Sequence, residues 1–310
     1  MVKYVLKRLF MMIPVMIGIT FLIFLIISLT PGDPGRLILG PLATEVDVAA
    51  LNHTLGFDRP FFVRFFTYLI NILHGDFGKS YLTNLTVGES LLARAPTTVI
   101  LVCLSIVLTV IVSVPVGIVS AVRQYSFLDG FSVLMAIFLS AVPVFWLGLI
   151  LILTFSLWLN LFPATGVDNP LSFVLPTITM AAGTIAVVTR MTRTTMLGVI
   201  REDYIRTARA KGADERRIIR KHALRNALIP VVTVLGINFG TMLGGTVLVE
   251  NVFGMPGIGT LLVDAIRSKD EPIILGCVIF LALCFSIINL IVDISYVYID
   301  PRLAVQRRVR

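Results

Sequence analysis

The residues best suited to chemistry in this chain lie in one charged segment, residues 202–230, which interrupts an otherwise apolar sequence. The segment reads EDYIRTARAKGADERRIIRKHALRNALIP and is rich in guanidinium and carboxylate groups. Such groups form ion pairs and charge-assisted hydrogen bonds, so the chemistry they predict is recognition of another surface. The simpler interpretation is a solvated loop with the Lys/Arg excess that is usual on the cytoplasmic side of membrane proteins.

Two short helices joined at a glycine are predicted within this segment. The first covers residues 203–211. Its apolar face consists of Tyr204, Ile205 and Ala208. Gly212 is suited to end this helix because glycine adopts the left-handed backbone conformation at little cost. Asp214 has the side chain and position of an N-cap for a second short helix through residues 218–222, so the segment predicts a bent element with a charged tip.

Composition indicates a membrane protein. The 310 residues are 57% hydrophobic and only 14% charged, whereas soluble domains carry about 25% charged residues. Apolar segments of about 20 residues can span a bilayer, and six are present: residues 9–29, 98–122, 132–159, 175–196, 228–249 and 272–297. The predicted fold class is therefore all-α, a polytopic membrane protein with six transmembrane helices. Pro143 lies within the third span and predicts a kink there.

The positive charge is distributed unevenly along the chain. The net charge is +8, and most of the Lys and Arg residues lie in the first eight residues, in residues 190–225 and in residues 302–310. The loop at residues 160–172 has no Lys or Arg. Because Lys and Arg accumulate in cytoplasmic loops, this asymmetry predicts that both termini are cytoplasmic. Nucleic-acid binding, another use of basic charge, is disfavoured because the charge adjoins the span ends.

Catalytic and metal-binding patterns are not found in the sequence. The three cysteines all lie in apolar runs and the three histidines are far apart, which predicts neither disulfides nor a metal site. No HExxH motif, paired aspartates or Ser/His pair indicates an enzyme, and no GxxxxGK[ST] loop is present to hold ATP. An ion-coupled secondary transporter is the alternative class, and it usually carries ionisable residues within its spans. Asp293, near the cytoplasmic end of the last span, is the one candidate for that role.

The long loop at residues 31–97 contains a further amphipathic segment, RPFFVRFFTYLINIL, at residues 59–73. Its apolar positions predict one helical face: 61, 62, 65, 66, 69, 70 and 73. Such a helix either lies on the outer membrane surface or packs on the spans.

The fifth span and the loop after it carry glycine patterns. A doubled GxxxG at Gly236, Gly240 and Gly244 predicts close helix packing, because small residues let two backbones approach. Asn238 and Thr241 add polar groups to this span and are candidates to line a pathway. The following loop predicts a turn and then a short helix from Ile258 to Ala265 at the outer mouth. The turn is indicated by Gly254, Pro256, Gly257 and Gly259, and Glu250 and Asn251 are expected to belong to the same outer-mouth loop.

These motifs resemble one family along nearly the whole chain. Residues 202–230 resemble the cytoplasmic loop of ABC importer permeases, in the DYxRTARAKG…RHALRNALxP form of the dipeptide/oligopeptide/nickel permeases. The phrases LTPGDP, LGFDRPFFVRFFTYLINILHGDFGKS, LLARAPTT and ENVFGMPGIGTLLVDAI resemble the same family. The general loop motif has Glu-Ala-Ala, then Gly, then a distal Leu-Pro. Here those places are held by Arg206-Thr207-Ala208, Gly212 and Leu224-Arg225, so the Glu, one Ala and the Pro are absent.

The resemblance implies the transmembrane domain of a type I ABC importer. The implied regions are a first transmembrane helix at 1–30, an extracytoplasmic region at 31–97, a transmembrane domain at 98–300 with its coupling loop at 198–227, and a basic tail at 301–310. The residues implied to couple the chain to an ATPase are Asp203, Arg206, Ala208, Arg209, Gly212, Ala213, Asp214, Glu215, Arg216 and Arg217.

The implied function is the channel-forming subunit of an ATP-driven importer in the cytoplasmic membrane. Di- and oligopeptides are the first expected substrates, with nickel chelates, glutathione or another small solute as the alternative. The implied partners are a second, homologous permease, two ATPase subunits that bind ATP and Mg, an extracytoplasmic solute-binding protein and the lipid bilayer. No cofactor is expected in this chain, which is not expected to be an enzyme.

Overall fold

A computed structural model describes residues 2–30 and 32–299. The regular secondary structure of these residues is helical, apart from one isolated β-bridge between Lys79 and Thr86. The predicted basic tail and the side chain of Asp293 lie outside the described residues. The helices are α1 (Val2–Leu29), α2 (Pro34–Leu39), α3 (Glu45–Leu55), α4 (Phe61–Leu73), α5 (Val87–Val122), α6 (Phe127–Ala141), α7 (Val144–Leu151), α8 (Val174–Ile200), α9 (Asp203–Ala210), α10 (Glu215–Arg217), α11 (Leu224–Val252), α12 (Ile258–Ser268) and α13 (Glu271–Ile299).

Five helical segments of the described chain are long and apolar enough to cross a membrane: Arg8–Leu29, Val87–Val122, Pro170–Ile200, Glu215–Val252 and Glu271–Val292. A sixth crossing results if α6 and the segment Val144–Trp158 count as one bent span. The count of six spans predicted from the sequence therefore depends on this pair of helices.

The predicted third span is not one kinked helix but two helices that meet at 105°. The break lies at Val142, whose backbone is extended (φ −79°, ψ 124°), immediately before Pro143. Proline has no N–H to donate and disfavours helical backbone in the residue before it, so both effects act at this point. Beyond Leu151 the second helix continues as a π-helix over Ile152–Trp158.

The chain divides into two compact units. The first comprises Met1–Thr98 with Pro256–Ser286, and the second comprises Val99–Met255 with Ile287–Arg310. Helices α5 and α13 contribute residues to both units.

Aromatic rings and close helix contacts hold the first unit together. Phe24 of α1 and Phe65 of α4 meet at an angle, with ring centroids 5.7 Å apart. Helices α5 and α13 approach so closely that a Cβ on Gly276 would overlap the side chain of Val87. The carboxylate of Asp270 accepts a hydrogen bond from the Ser80 hydroxyl at 2.5 Å, which ties the loop before α5 to the start of α13.

Helix α4 packs on α1, so of the two interpretations of its apolar face, packing on a span is the one observed. Only part of that face is turned inward. Phe65 is buried, and Arg64 beside it lies over the ring of Phe24 and pairs with Glu271 at 3.3 Å. The residues of the predicted apolar face that are left exposed are Phe62, Phe66, Ile70 and Leu73. The inward face is therefore rotated towards Arg64 relative to the predicted one.

Helix α8 is the centre of the second unit and packs against α6, α7 and α11. In its most apolar stretch 61% of the residues are buried, against 11–33% in the other four spans, so α8 is the one enclosed by protein. Its abundant Thr and Ala residues explain this position, because small side chains allow neighbouring helices to approach closely.

Candidate coupling site

The bent element predicted between the fourth and fifth spans is present. Helix α9 ends in left-handed backbone at Gly212 (φ 76°). The N–H of Ala213 donates to the carbonyl of Ala208 at 3.2 Å, and the N–H of Gly212 donates to that of Arg209 at 2.9 Å. This pair of bonds is the Schellman motif, which satisfies two of the carbonyls that a helix end leaves unpaired. The turn therefore depends on a residue that tolerates positive φ.

The second helix of the element is much longer than predicted. Asp214 caps it as expected, since its side chain accepts a hydrogen bond from the N–H of Arg216 at 3.1 Å. The helix then runs without interruption through a π-helical turn, Ile218–Ala223, into α11. The whole segment Glu215–Val252 has 38 residues, or about 57 Å of helix at 1.5 Å per residue. The sequence between the tip and the span contains neither Gly nor Pro before residue 230, so nothing stops the helix.

Buried apolar residues pack the bent element against α8 and α11. Ile205 of α9 and Ile218 of the π-helical turn are both completely buried, in one cluster with Met196 of α8 and Ala227 of α11. Burying an isoleucine contributes about 1.5–3 kcal/mol, so two of them are sufficient to hold a short helix in place. The predicted inward residue Tyr204 is instead 44% exposed, and its hydroxyl accepts a hydrogen bond from Asn226 at 2.8 Å.

The charged residues of the element fall into two groups. Arg209 and Glu215 pair with each other across the turn, with Nε 2.6 Å from Oε1. This hydrogen bond raises the pKa of Arg209 above its usual value, and the negative charge of Glu215 adds to the effect. Asp203 and Arg206 form a looser exposed pair at 3.7 Å. Such exposed pairs contribute at most about 1 kcal/mol each. The Arg209–Glu215 pair therefore helps to orient the two helices, whereas the Asp203–Arg206 pair lies within α9.

Arg216 and Arg217 form the second group. Both are exposed, and neither forms an ion pair with any residue in the described part of the chain. They follow directly on the Asp214 cap and so lie at the tip. Of the ten predicted coupling residues, these two arginines present the charge that is available to a partner.

The three glycines of the fifth span do not form one contact. Gly236 is buried against α13, and a Cβ there would lie 2.5 Å from Cγ1 of Val292. Gly240 is half-buried. Gly244 is exposed, and a Cβ there would meet no atom within 4 Å. The predicted close packing is thus present at Gly236, whereas Gly244 has open space.

We expect Gly236→Leu to destabilise the folded chain and Gly244→Leu to leave its stability unchanged. Valine in a helix has one strongly preferred rotamer, so Val292 cannot easily move away from a larger side chain at 236. Overpacking of this kind costs about 1–3 kcal/mol. Thermal unfolding of the two variants in detergent checks the expectation, and equal midpoints would show that the α11–α13 contact is not close.

Asn238 and Thr241, the predicted polar residues of this span, line a cleft of about 330 Å³ in the second unit. Ser140 of α6 and Arg190 of α8 line the same cleft. The sequence singled out the two residues on α11 but did not indicate which groups face them.

The glycine-rich loop after α11 has the predicted turn and helix. Gly254 has positive φ (56°), and the N–H of Met255 donates to the carbonyl of Glu250 at 2.9 Å. Glu250 and Asn251, predicted as loop residues, instead lie in the last turn of α11. The Glu250 side chain is buried, whereas Asn251 is exposed and donates to the carbonyl of Val247. These contacts lie within the second unit.

In the first unit, Pro256 and Gly257 precede α12, in which Ile258 and Gly259 are buried. The N–H of Ile258 donates to the Thr98 hydroxyl at 2.8 Å, which fixes the start of the helix. The position of this loop at an outer mouth stays a prediction.

A buried ionic network was not predicted from the sequence. Arg193 of α8 binds Asp129 of α6 through two bonds, Nε to Oδ1 at 2.6 Å and the second nitrogen to Oδ2 at 2.9 Å. Ser120 of α5 donates to the same carboxylate at 2.5 Å, as does the N–H of Tyr125 at 2.9 Å. Asp129 is 4% exposed, so the network ties three helices together in the interior. Asp129 follows Ser126 at helix-cap spacing, which was the only local signal.

Comparison with known proteins gives consistent matches over the chain. Residues 113–305 match the family described as "binding-protein-dependent transport system inner membrane component", and residues 1–102 match the N-terminal region of such membrane components. The chain is 41% identical over 301 residues to the glutathione transport system permease protein GsiC of Salmonella paratyphi A, covering 97% of this chain and 98% of that protein. It is 40% identical over the same length to GsiC of Escherichia coli strain K12.

A solved structure shares the fold. The inward facing MetNI methionine ABC transporter superposes with a TM-score of 0.56 over 68% of this chain and 97% of that one. The sequence identity is 19%, so this likeness shows the fold alone.

Proposed function

We propose, on the premise that the chain belongs to the family of binding-protein-dependent transport system inner membrane components, that the solute it imports is glutathione. Membership itself makes the chain a non-catalytic, multi-pass subunit of an ABC importer in the inner membrane, of the peptide/nickel type. It also implies ATPase and solute-binding partners.

The observation that carries the glutathione proposal is 41% identity over 97% of the chain to permeases named for glutathione transport. The sequence motifs alone placed di- and oligopeptides first and glutathione among the alternatives. The similarity to GsiC proteins favours the alternative, and glutathione is itself a modified tripeptide.

In the proposed mechanism, the bent element binds an ATPase subunit and moves with it. ATP and Mg bind to partner subunits, and the tip at Arg216 and Arg217 contacts one of them. Because the tip is continuous with α11, a displacement there is carried along about 57 Å of unbroken helix into the transmembrane unit. The two orientations of that helix then correspond to the two states of an alternating-access cycle.

The proposed assembly contains this chain, a second homologous permease, two ATPase subunits and an extracytoplasmic binding protein. The open space at Gly244 on an exposed face of α11 is compatible with a second permease packing there.

Uptake by the reconstituted complex tests the substrate. Liposomes that contain both permeases and both ATPases, with binding protein outside and ATP inside, should accumulate labelled glutathione in an ATP-dependent, saturable manner. A hundredfold excess of an unlabelled dipeptide should reduce this uptake only slightly. Dipeptide uptake without glutathione uptake would overturn the proposal and restore the peptide assignment.

We propose that both termini and the bent element are cytoplasmic, from the charge asymmetry of the sequence. In a variant without the three native cysteines, a cysteine at the exposed position Lys79 should react with an impermeant thiol reagent in intact cells. A cysteine at Lys211, next to the Gly212 turn, should react only after permeabilisation. The opposite labelling pattern would invert the orientation.

A further inference from the structure

Two arginines on α8, three residues apart, have different surroundings. Arg193 is neutralised by Asp129 through two short hydrogen bonds. Arg190 is exposed and donates a hydrogen bond to the Ser140 hydroxyl at 3.4 Å. No carboxylate of the described residues lies at ion-pair distance from it. Arg190 lies ten residues, or about 15 Å of helix, before the end of α8 at Ile200. Because charged side chains within spans are costly and usually face a cavity or a partner, Arg190 is a candidate functional residue.

Arg190 faces a cleft that is open on the protein surface. The cleft of about 330 Å³ is formed by facing stripes of α8 and α11, with Ser140 just before the break in the third span. Two of its lining residues are Gly183 and Gly245, and a Cβ on either would meet no atom within 4 Å. Space for a small solute is therefore available beside the guanidinium, at the lower end of the size range of small-molecule sites.

Of the four other polar side chains that line the cleft, Ser140, Asn238 and Thr241 each donate a hydrogen bond to a backbone carbonyl, and the fourth is Thr184. The Ser140 hydroxyl donates to the carbonyl of Ala136, and the Thr241 hydroxyl donates to that of Asn238. The Asn238 amide donates to the carbonyl of Val234. These groups can still accept hydrogen bonds, and for an anion the guanidinium of Arg190 is the positively charged donor that lines the cleft.

We propose that Arg190 binds a carboxylate of the solute as it passes through the transmembrane unit, while Ser140, Asn238 and Thr241 accept hydrogen bonds from its amide or ammonium groups. The planar guanidinium matches a carboxylate in a bidentate arrangement. The inference rests on the proposed function in taking glutathione, which carries two carboxylates and one ammonium group, as the solute. Its central claim is that this cleft selects anions.

Thiol labelling tests the anion preference without any transported solute. In the complete complex, with the native cysteines replaced, Thr241→Cys places a thiol in the cleft. The ratio of its reaction rates with an anionic sulfonatoethyl methanethiosulfonate and a cationic trimethylammonioethyl methanethiosulfonate reports the local charge. We expect Arg190→Gln to lower this ratio about tenfold, because the positive charge that attracts the anionic reagent and repels the cationic one is lost. Arg190→Lys should preserve most of the ratio, because lysine keeps that charge.

Arg201→Gln is the matched control, because it removes the same charge from an exposed residue just beyond the end of the same helix, outside the cleft. An equal ratio in Arg190→Gln and Arg201→Gln would overturn the inference. A thiol at 241 that reacts with neither reagent would also overturn it, because the cleft would then be closed to solutes.

Transport kinetics provide the second readout. In the reconstituted complex, Arg190→Gln should raise the KM for glutathione uptake about tenfold. Arg190→Lys should recover most of the affinity, and an unchanged KM in Arg190→Gln would contradict the inference. Failure of the wild-type complex to import glutathione would reject the proposed function alone, because the labelling experiment still decides the role of Arg190.

Discussion

Replacement of Arg193 by Met should leave little folded permease in the membrane. The substitution removes the two hydrogen bonds and the positive charge that Arg193 supplies to Asp129, a residue that is 4% exposed. The Asp129 carboxylate then keeps only the Ser120 hydroxyl and the Tyr125 N–H as partners. Leaving one member of a buried ion pair without its partner costs about 3–5 kcal/mol. This is a large share of the roughly 5–15 kcal/mol by which proteins are typically stable. Accumulation in membranes and the unfolding midpoint in detergent should both fall sharply.

Two further variants separate the loss of pairing from the loss of a charge. The double variant Asp129→Asn with Arg193→Met should recover much of the stability, because no buried charge then lacks a partner. Arg190→Gln, three residues away on the same helix, should be as stable as the wild type because Arg190 is exposed. If Arg190→Gln and Arg193→Met unfold at the same temperature, the buried network does not stabilise the fold as described.

Replacement of Gly212 by Val should uncouple ATP hydrolysis from uptake while the permease still inserts. Gly212 has φ 76°, and a Cβ there would meet no atom within 4 Å, so the cost is one of backbone conformation. Left-handed backbone costs an L-residue about 1–2 kcal/mol, and at 2 kcal/mol the population of the bent tip shifts about thirtyfold. The buried Ile205 and Ile218 keep the two helices attached to the spans. Uptake should therefore fall, by up to about thirtyfold, without loss of protein.

Gly212→Asn is the matched control, since asparagine tolerates the left-handed conformation better than valine and should retain most uptake. Arg216→Glu combined with Arg217→Glu alters charge at the tip and leaves the turn intact, and it should weaken retention of the ATPase in a pull-down. The measurements are ATP hydrolysis with and without loaded binding protein, and uptake by the same liposomes. Normal stimulation and uptake in Gly212→Val and in the double arginine variant would show that this element is a basic loop without a coupling role.

The sequence by itself determined the features that depend only on composition and on residues adjacent along the chain. Apolar runs of about 20 residues require a bilayer whatever they pack against, so the membrane class and five of the six predicted spans follow from composition alone. The turn at Gly212 and the cap at Asp214 follow from local backbone chemistry, and both are observed. The break at Pro143 was expected as a kink, but its angle of 105° depends on how the two halves pack.

The tertiary structure decided which charges are paired and which are available. Arg190 and Arg193 are both arginines within one apolar helix, and nothing in their neighbours along the chain distinguishes them. The carboxylate that neutralises Arg193 lies 64 residues away, on a helix whose position is set by packing against α8. An ion pair needs its groups within a few ångströms, and only the folded helices determine which side chains meet that condition. For the same reason the contact of Gly236 with Val292 becomes apparent only in the assembled bundle, as does the open space at Gly244.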